Sequence, residues 1–362
     1  MGLRRYRFLA FVLGLGGCAP SGPPREIDGP EATDLASRAA GVLLLSEPPG
    51  GIGAVKLATS QHTTVRPAAT PDDNGEFATP HALSGPDSEG RVVVIDNHMV
   101  ASWHELKVIA LDGRELRSLF KREGDALWHH YIGESLALSS TSGKVACLSK
   151  IVDPSEPNPF VEPCGFALEV WNIGSGEGRK TSVVAQDAGL AWLPEDDRLL
   201  YVASVPRQGS PALPMPTDGF GEEYAERPNV PVVHILDAAT GQSRRVHIGV
   251  CPRPTPDGRS MLVTDASCRT RLVDLATGAS HPVKLPGQWD GAVAVLSGGV
   301  VLYRGVPTRH ATGGYATGEG RSTLGRVLTV KAADLSTGEF QTVVSGVGPF
   351  TAFSFGCPAT PP

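Results

Sequence analysis

The chain has 362 residues, of which 43 are glycine and 31 proline, well above the roughly one in eight that average usage gives those two together. Its hydrophobic content of 41% is enough for a packed core and too high for a disordered chain. So much glycine and proline disfavours long helices and favours many short strands joined by turns. A net charge of −6 argues against a nucleic-acid partner, which needs a dense basic surface to displace counterions. No run approaches the roughly 18 apolar residues of a membrane-spanning helix.

The first eighteen residues carry a targeting pattern. Arg4, Arg5 and Arg7 form a positive stretch, residues 8–15 are apolar, and Leu15-Gly16-Gly17-Cys18 follows. This resembles a bacterial secretory signal ending in a lipobox: leucine, two small residues, cysteine. The resemblance implies cleavage after residue 17 and a diacylglyceryl group on the Cys18 thiol. An ordinary signal cleaved nearby and an unprocessed N-terminus are the alternatives. Two or more acyl chains anchor stably where one binds only marginally. Without residues 1–17 the chain has 29 basic and 38 acidic residues, a net charge of −9. The lipid, and no basic patch, would then supply the membrane attachment. Residues 19–40, with Pro23-Pro24 and mixed charges, read as a flexible tether. The expected location is the bacterial cell envelope, outside the cytoplasm.

From Gly41 onward a unit recurs: an apolar strand, a turn, a strand ending near Asp, a Thr-Gly or Asp-Gly turn, then a polar strand. It is visible in VIALDGREL (108–116), EVWNIGSGEGR (169–179), VHILDAATGQS (233–243), RLVDLATGAS (271–280) and VKAADLSTGEF (330–340). Glycine in these turns accepts a positive φ without a Cβ clash. Runs such as Arg91-Val92-Val93-Val94-Ile95-Asp96 are β-branched and too short for helices. A periodic four-strand unit of this length predicts the blade of a β-propeller.

Residues 191–201, AWLPEDDRLLY, and 254–259, PTPDGR, resemble the WD40-like repeat of the TolB type, which reads aromatic, any residue, Pro, Asp, Gly, then a strand. The resemblance spans residues 41–357; units at 85–95 and 296–304 lack the full signature. Trp-Asp strand endings are missing: Trp289-Asp290 precedes a first strand instead of ending a third. Three strands (41–46, 52–59 and 62–66) come before five complete units that begin near Ala78, Ile132, Ala188, Gly249 and Gly291. One orphan strand, 349–357, remains. The predicted fold is therefore all-β, a six-bladed propeller over residues 41–357 in which the orphan becomes the missing inner strand of the first blade. Residues 358–362 form a tail. A seventh blade would need further strands from the tether.

Setting Cys18 aside leaves five cysteines. Cys251 begins one strand and Cys268 ends its neighbour, so they form a candidate disulfide if their Cα atoms come near 5.5 Å. Cys147, Cys164 and Cys357 cannot all pair internally, and one of them is expected to be a small buried hydrophobe. There is no C-x-x-C zinc pattern, no catalytic motif of the G-x-S-x-G, H-E-x-x-H or S-x-x-K kind in a credible setting, and no residue set that calls for a cofactor.

Three long connections (152–165, 204–231 and 305–325) all join second and third strands, which in a propeller puts them on one face with the links between blades. Insertions clustered on one face of a rigid scaffold mark a candidate binding surface. Its candidate residues are Phe160 in the first connection, Phe220, Tyr224 and Arg227 in the second, and Arg309, His310 and Tyr315 in the third. Trp128, His129, Trp289 and Asp290 come from the links. Exposed aromatics beside Arg suit protein partners or envelope polymers. A propeller with lactonase or hydrolase activity, acting through its central channel, is the alternative. It would need a polar inner rim, whereas the inner strands at 189–193, 291–296 and 350–355 are mostly small or apolar.

Overall fold

A computed structural model of the chain describes residues 25–26, 35, 41–47, 50–59, 61–68, 70, 78–98, 103–123, 132–151, 165–194, 197–207, 218–265, 267, 269–285, 291–305, 328–347 and 353–356. A short strand, β1 (Arg25–Glu26), precedes the repeat. Blade 1 holds β2 (Val42–Glu47), β3 (Gly51–Lys56) and β4 (Gln61–Arg66). Blade 2 is β5 (Thr79–Ser84), β6 (Arg91–His98), β7 (Trp103–Ala110) and β8 (Glu115–Glu123). Blade 3 is β9 (Ile132–Leu138), β10 (Lys144–Lys150), β11 (Phe166–Asn172) and β12 (Gly178–Ala185). Blade 4 is β13 (Leu190–Trp192), β14 (Arg198–Pro206), β15 (Asn229–Asp237) and β16 (Ser243–Ile248). Blade 5 is β17 (Val250–Pro254), β18 (Ser260–Thr264), β19 (Thr270–Asp274) and β20 (Ser280–Val283). Blade 6 is β21 (Gly291–Val295), β22 (Val300–Gly305), β23 (Leu328–Asp334) and β24 (Glu339–Val347). The last strand, β25 (Phe353–Gly356), pairs antiparallel with β2, Leu44 opposite Ser354, and completes blade 1. The six-bladed propeller and its closure by the C-terminal strand are as the repeat predicts.

The middle strands of each blade are apolar on both faces because both faces meet another blade. In β2 the alternation divides the residues between neighbours. Leu43 and Leu45 pack with Leu296, Val300 and Leu302 of blade 6, while Val42 and Leu44 pack with Leu83, Val92 and Val94 of blade 2. The same division repeats around the disc, each seam holding one apolar cluster. Cys147, buried and unpaired as a disulfide, is part of the seam between blades 2 and 3. Outer strands such as β12 face solvent and are mostly polar.

Polar ties cross the same seams. Arg66 grips Asp96 with two bonds of 2.8 Å, joining blades 1 and 2. Arg122 meets the buried Glu169 at 2.6 Å, joining blades 2 and 3. Burial alone would raise the Glu169 pKa, but Arg122, Ser149 and Trp171 outweigh it and hold the carboxyl below its usual range. From outer strands, Arg117 donates to the Ile173 carbonyl at 2.6 Å and Arg244 to the Leu275 carbonyl at 2.7 Å, two equivalent contacts in different seams.

The Asp-x-x-Thr-Gly turns join third strands to fourth. Asp237 Oδ1 accepts the N–H groups of Ala239 (2.9 Å) and Thr240 (2.8 Å), and Asp274 and Asp334 repeat the arrangement. This Asx turn reverses the chain within the bend, and Gly241 closes it at φ 75. These turns and the first-to-second turns make the lower face of the disc; blade-to-blade links and second-to-third connections make the upper face.

Two described parts of the segment read as a tether touch the propeller. Arg25 and Glu26 run parallel to Glu339 and Phe340, adding an edge strand to blade 6. Leu35, 1% exposed, is buried in the cluster between blades 6 and 1, with Leu57 and Leu296. Among the described residues the strands form six blades, and the segment contributes these clamps. Among the described residues no helix is long and apolar enough to cross a membrane.

Truncation after Val347 removes β25, bares the edge of β2 and opens the ring. Thermal melting followed by circular dichroism should then show a loss of about 4 kcal/mol or more and a broadened transition. An unchanged melting curve would contradict closure by this strand.

Candidate functional site

The upper face over blades 4 and 5 is built by the connection between β14 and β15, described from Asp218 to Pro228. It starts with Asp218-Gly219-Phe220-Gly221 and continues as a single 3-10 turn, Glu222–Tyr224. Gly219 (φ 82) and Gly221 (φ 71) take left-handed backbone that a side chain would strain. These bends let Phe220 point down while the chain runs across the seam.

Phe220 is 2% exposed and joins the apolar cluster between blades 4 and 5. Its ring lies 5.8 Å from that of His247 and 5.6 Å from the Arg271 guanidinium. Polar contacts hold the strap on both sides of this anchor. Asp218 pairs with Arg271 of β19, itself 7% exposed. Burial pushes the Asp218 carboxyl up, but the Phe220 N–H and Arg271 outweigh it and hold its pKa below the usual range. Gly221 N–H donates to Asp265 Oδ2 at 2.9 Å. The same carboxylate takes Arg269 Nε at 2.8 Å, and through Oδ1 the Ser267 and Arg269 N–H groups at 3.0 and 2.8 Å. Arg269 reaches on to Glu223 at 3.1 Å. One connection of blade 4 is thus fastened to blade 5, to β19 through Asp218 and to the second-to-third loop through Gly221 and Glu223.

Below the strap, His247 Nδ1 donates to the Ile248 carbonyl at 2.7 Å, which leaves Nε2 to accept from the Ser280 hydroxyl at 3.0 Å. Arg271 Nε donates to the same hydroxyl oxygen at 3.0 Å. A serine–histidine pair arises here, but its imidazole is oriented by a backbone carbonyl and the neighbouring charge is a guanidinium. Burial, with Arg271 adding to it, lowers the His247 pKa. The pair ties β16 to β20 inside a seam, and nothing in it resembles an activated nucleophile.

Beside the strap lies a pocket of about 480 Å³ lined by Gln186, Ser204, Tyr224, Arg227, Pro228, Asn229, Pro231 and Val250. Tyr224 is 3% exposed, packed in a cluster with Val205, Val230, Val232 and Ile248. Arg227 is exposed, and its guanidinium lies 5.5 Å from the Tyr224 ring. No carboxylate lines the pocket, and Arg227 has no acidic partner among the described residues. The chemistry offered is one cation on an aromatic ring, amides from Gln186 and Asn229, a hydroxyl from Ser204, and proline faces.

The three long connections do join second and third strands, whose linked ends are all at the upper face, as the sequence indicates. Two candidate residues change role. Phe220 and Tyr224, expected as exposed docking aromatics, are buried, because large rings laid over a seam gain most by filling it. Arg227 is exposed at the pocket. Trp128, His129, Phe160, Trp289, Asp290, Arg309, His310 and Tyr315, and Cys18, lie outside the described residues. Cys251 is a free thiol, against the expected bridge to Cys268. It sits at a bulge of β17 with φ 51, its N–H donating to the Ala188 carbonyl at 2.6 Å. Cys268 is outside the described residues. Among those described, no three His, Cys, Asp or Glu residues gather as a metal site would. The roles of Asp265, Arg269 and Arg271 were not read from sequence; the D-G-F-G stretch at 218–221, able to turn sharply around one aromatic, was the available signal.

No protein-family model matches this chain, and no curated protein matches it. Solved structures do. A chain in the crystal structure of a nidogen/laminin complex is 12% identical, with 87% of this chain and 97% of that one covered and a TM-score of 0.53. A putative TolB from Agrobacterium tumefaciens is 13% identical, with 88% of this chain and 98% of that one covered and a TM-score of 0.51. The second bears out the TolB-type resemblance of the repeat; at these identities the likeness is one of fold.

Two predictions follow from this geometry. Phe220→Ala should cost about 3–4 kcal/mol in urea unfolding, and an unchanged midpoint would show that the strap is not anchored there. The second concerns pH. His234 of β15 stacks on Tyr201 at 5.1 Å, and its buried Nε2 has no partner. Burial, with Arg245 adding to it, pushes its pKa from 6.5 down to about 4. The unfolded chain therefore binds a proton at this position first, and stability falls as the pH drops from 6.5 towards 4. The loss should be about 1–2 kcal/mol once partial exposure is discounted, and His234→Gln should flatten the slope. A slope that the variant leaves unchanged would place the titration elsewhere.

Proposed function

We propose that this protein is a non-catalytic binding scaffold of the bacterial cell envelope, anchored through lipid on Cys18, whose upper face receives a protein partner or an envelope polymer. The observation that carries the reading is the strap between blades 4 and 5. An insertion of drifting sequence would not be expected to tie itself to the next blade through Asp218, Gly221 and Glu223. Fixed in this way, it holds an accessible Arg227 on the Tyr224 ring at the mouth of a 480 Å³ pocket. A preformed pocket with few, converging polar groups is the usual form of a binding site. An arginine backed by an aromatic ring is a frequent centre of binding energy at interfaces. The pocket's lone cation suits an acidic group on the partner.

The test uses the soluble fragment 19–362 as bait on envelope extracts. Arg227→Glu should lose the partner recovered by the wild type, while Arg114→Glu, an exposed change on the lower face, should retain it. Equal recovery by both variants would overturn the assignment of this face.

A further inference from the structure

We infer that the anchor also sets the pose of the propeller, holding the lower face and the edge of blade 6 next to the bilayer and turning the Arg227 pocket away from it. This rests on the lipid at Cys18 proposed above; the pose itself comes from where the chain first meets the disc. Arg25 lies opposite Glu339, the first residue of β24, which directly follows a lower-face turn. Because β1 and β24 run parallel, the chain reaches the blade from below. Leu35 is the second clamp, buried in the seam between blades 6 and 1. The first fixed point is therefore at the lower rim of blade 6, and the second holds the segment to the adjoining seam. The pocket is on the opposite side, formed by blade-to-blade links at Gln186 and Val250 and by the second-to-third connection.

Two lengths decide the matter. Seven peptide steps separate Cys18 from Arg25, and a fully extended chain covers at most about 25 Å in that number. The nine residues of β24 rise about 27 Å from lower to upper rim, and the upper connections add to this. A leash of that length cannot lay the upper face on the membrane while β1 stays paired. It does let the lower rim of blade 6 rest there. A bilayer surface, met through the lower face, is then the partner of one side of the disc, and the pocket is presented to the aqueous phase.

The experiment uses the full lipidated chain in phospholipid vesicles carrying an acceptor dye on their headgroups. A donor dye is placed through a clickable residue at Thr337, exposed in a lower turn of blade 6, or at Glu226, exposed on the upper face. Energy transfer should be greater from Thr337 than from Glu226. A twelve-residue Gly-Ser insertion between Cys18 and Arg25 should remove the difference without changing vesicle flotation. Equal transfer in the natural chain, or greater transfer from Glu226, overturns the pose. Flotation of Cys18→Ser equal to that of the natural chain overturns the lipid anchor instead, so the two failures are read separately.

Discussion

Every blade of this protein has two apolar faces, and one requirement follows: each blade needs two neighbours. An open row of six sheets would leave two such faces in water, whereas a closed disc leaves none. The alternation in β2 shows how local sequence meets the requirement, since Leu43 and Leu45 turn to blade 6 while Val42 and Leu44 turn to blade 2. Burial of one such side chain is worth about 1.5–3 kcal/mol, so an unpaired face would forfeit several times that amount. The pairing of β25 with β2 supplies the inner strand that completes blade 1. Leu35 adds a further apolar side chain at this seam.

Apolar faces alone would allow adjacent blades to slide. The polar ties across the seams restrict that freedom: Arg66 with Asp96, Arg122 with Glu169, and the strap contacts from Asp218 to Arg271. Ion pairs of this kind, each with one partly exposed member, add little net stability. Their geometry is what the site uses. Asp265 accepts from Gly221 and Arg269 together, fixing a connection of blade 4 by a loop of blade 5. The pocket beside Arg227 is therefore held by the relation between two blades and not by one loop's own preference.

Much of this was legible in the chain. Strand positions followed from short β-branched runs, and the Asp of each Asp-x-x-Thr-Gly turn marked a third-strand ending because its carboxylate caps the bend. Blade number followed from counting strands and noticing that the last had no partner except in the first blade. The face carrying the long connections was also legible, since connection order fixes the side of a disc. Side-chain roles on that face were not. Phe220 and Tyr224 stand in a Gly- and Pro-rich stretch that gives no periodicity, and whether a ring points out or down depends on a blade distant in sequence. Arg269 and Arg271 read as ordinary strand-edge charges until Asp218, Glu223 and Asp265 come near them. The clamps at β1 and Leu35 were hidden for the same reason, because Pro, Gly and mixed charge describe a linker equally well whether or not single residues dock.

The N-terminal segment meets the disc at the edge of blade 6 and in the seam between blades 6 and 1, the strap and its pocket lie on the upper face, and both arrangements depend on the disc being closed. Hydrogen exchange followed by mass spectrometry tests that closure most directly. Amides of β25 and β2 should exchange together and only with the slowest, global opening, as expected for paired strands in one cooperative unit. If residues 353–356 exchanged at the rate of a free chain end while residues 42–47 stayed protected, the ring would not be closed by the C-terminal strand, and the account built on it would fail.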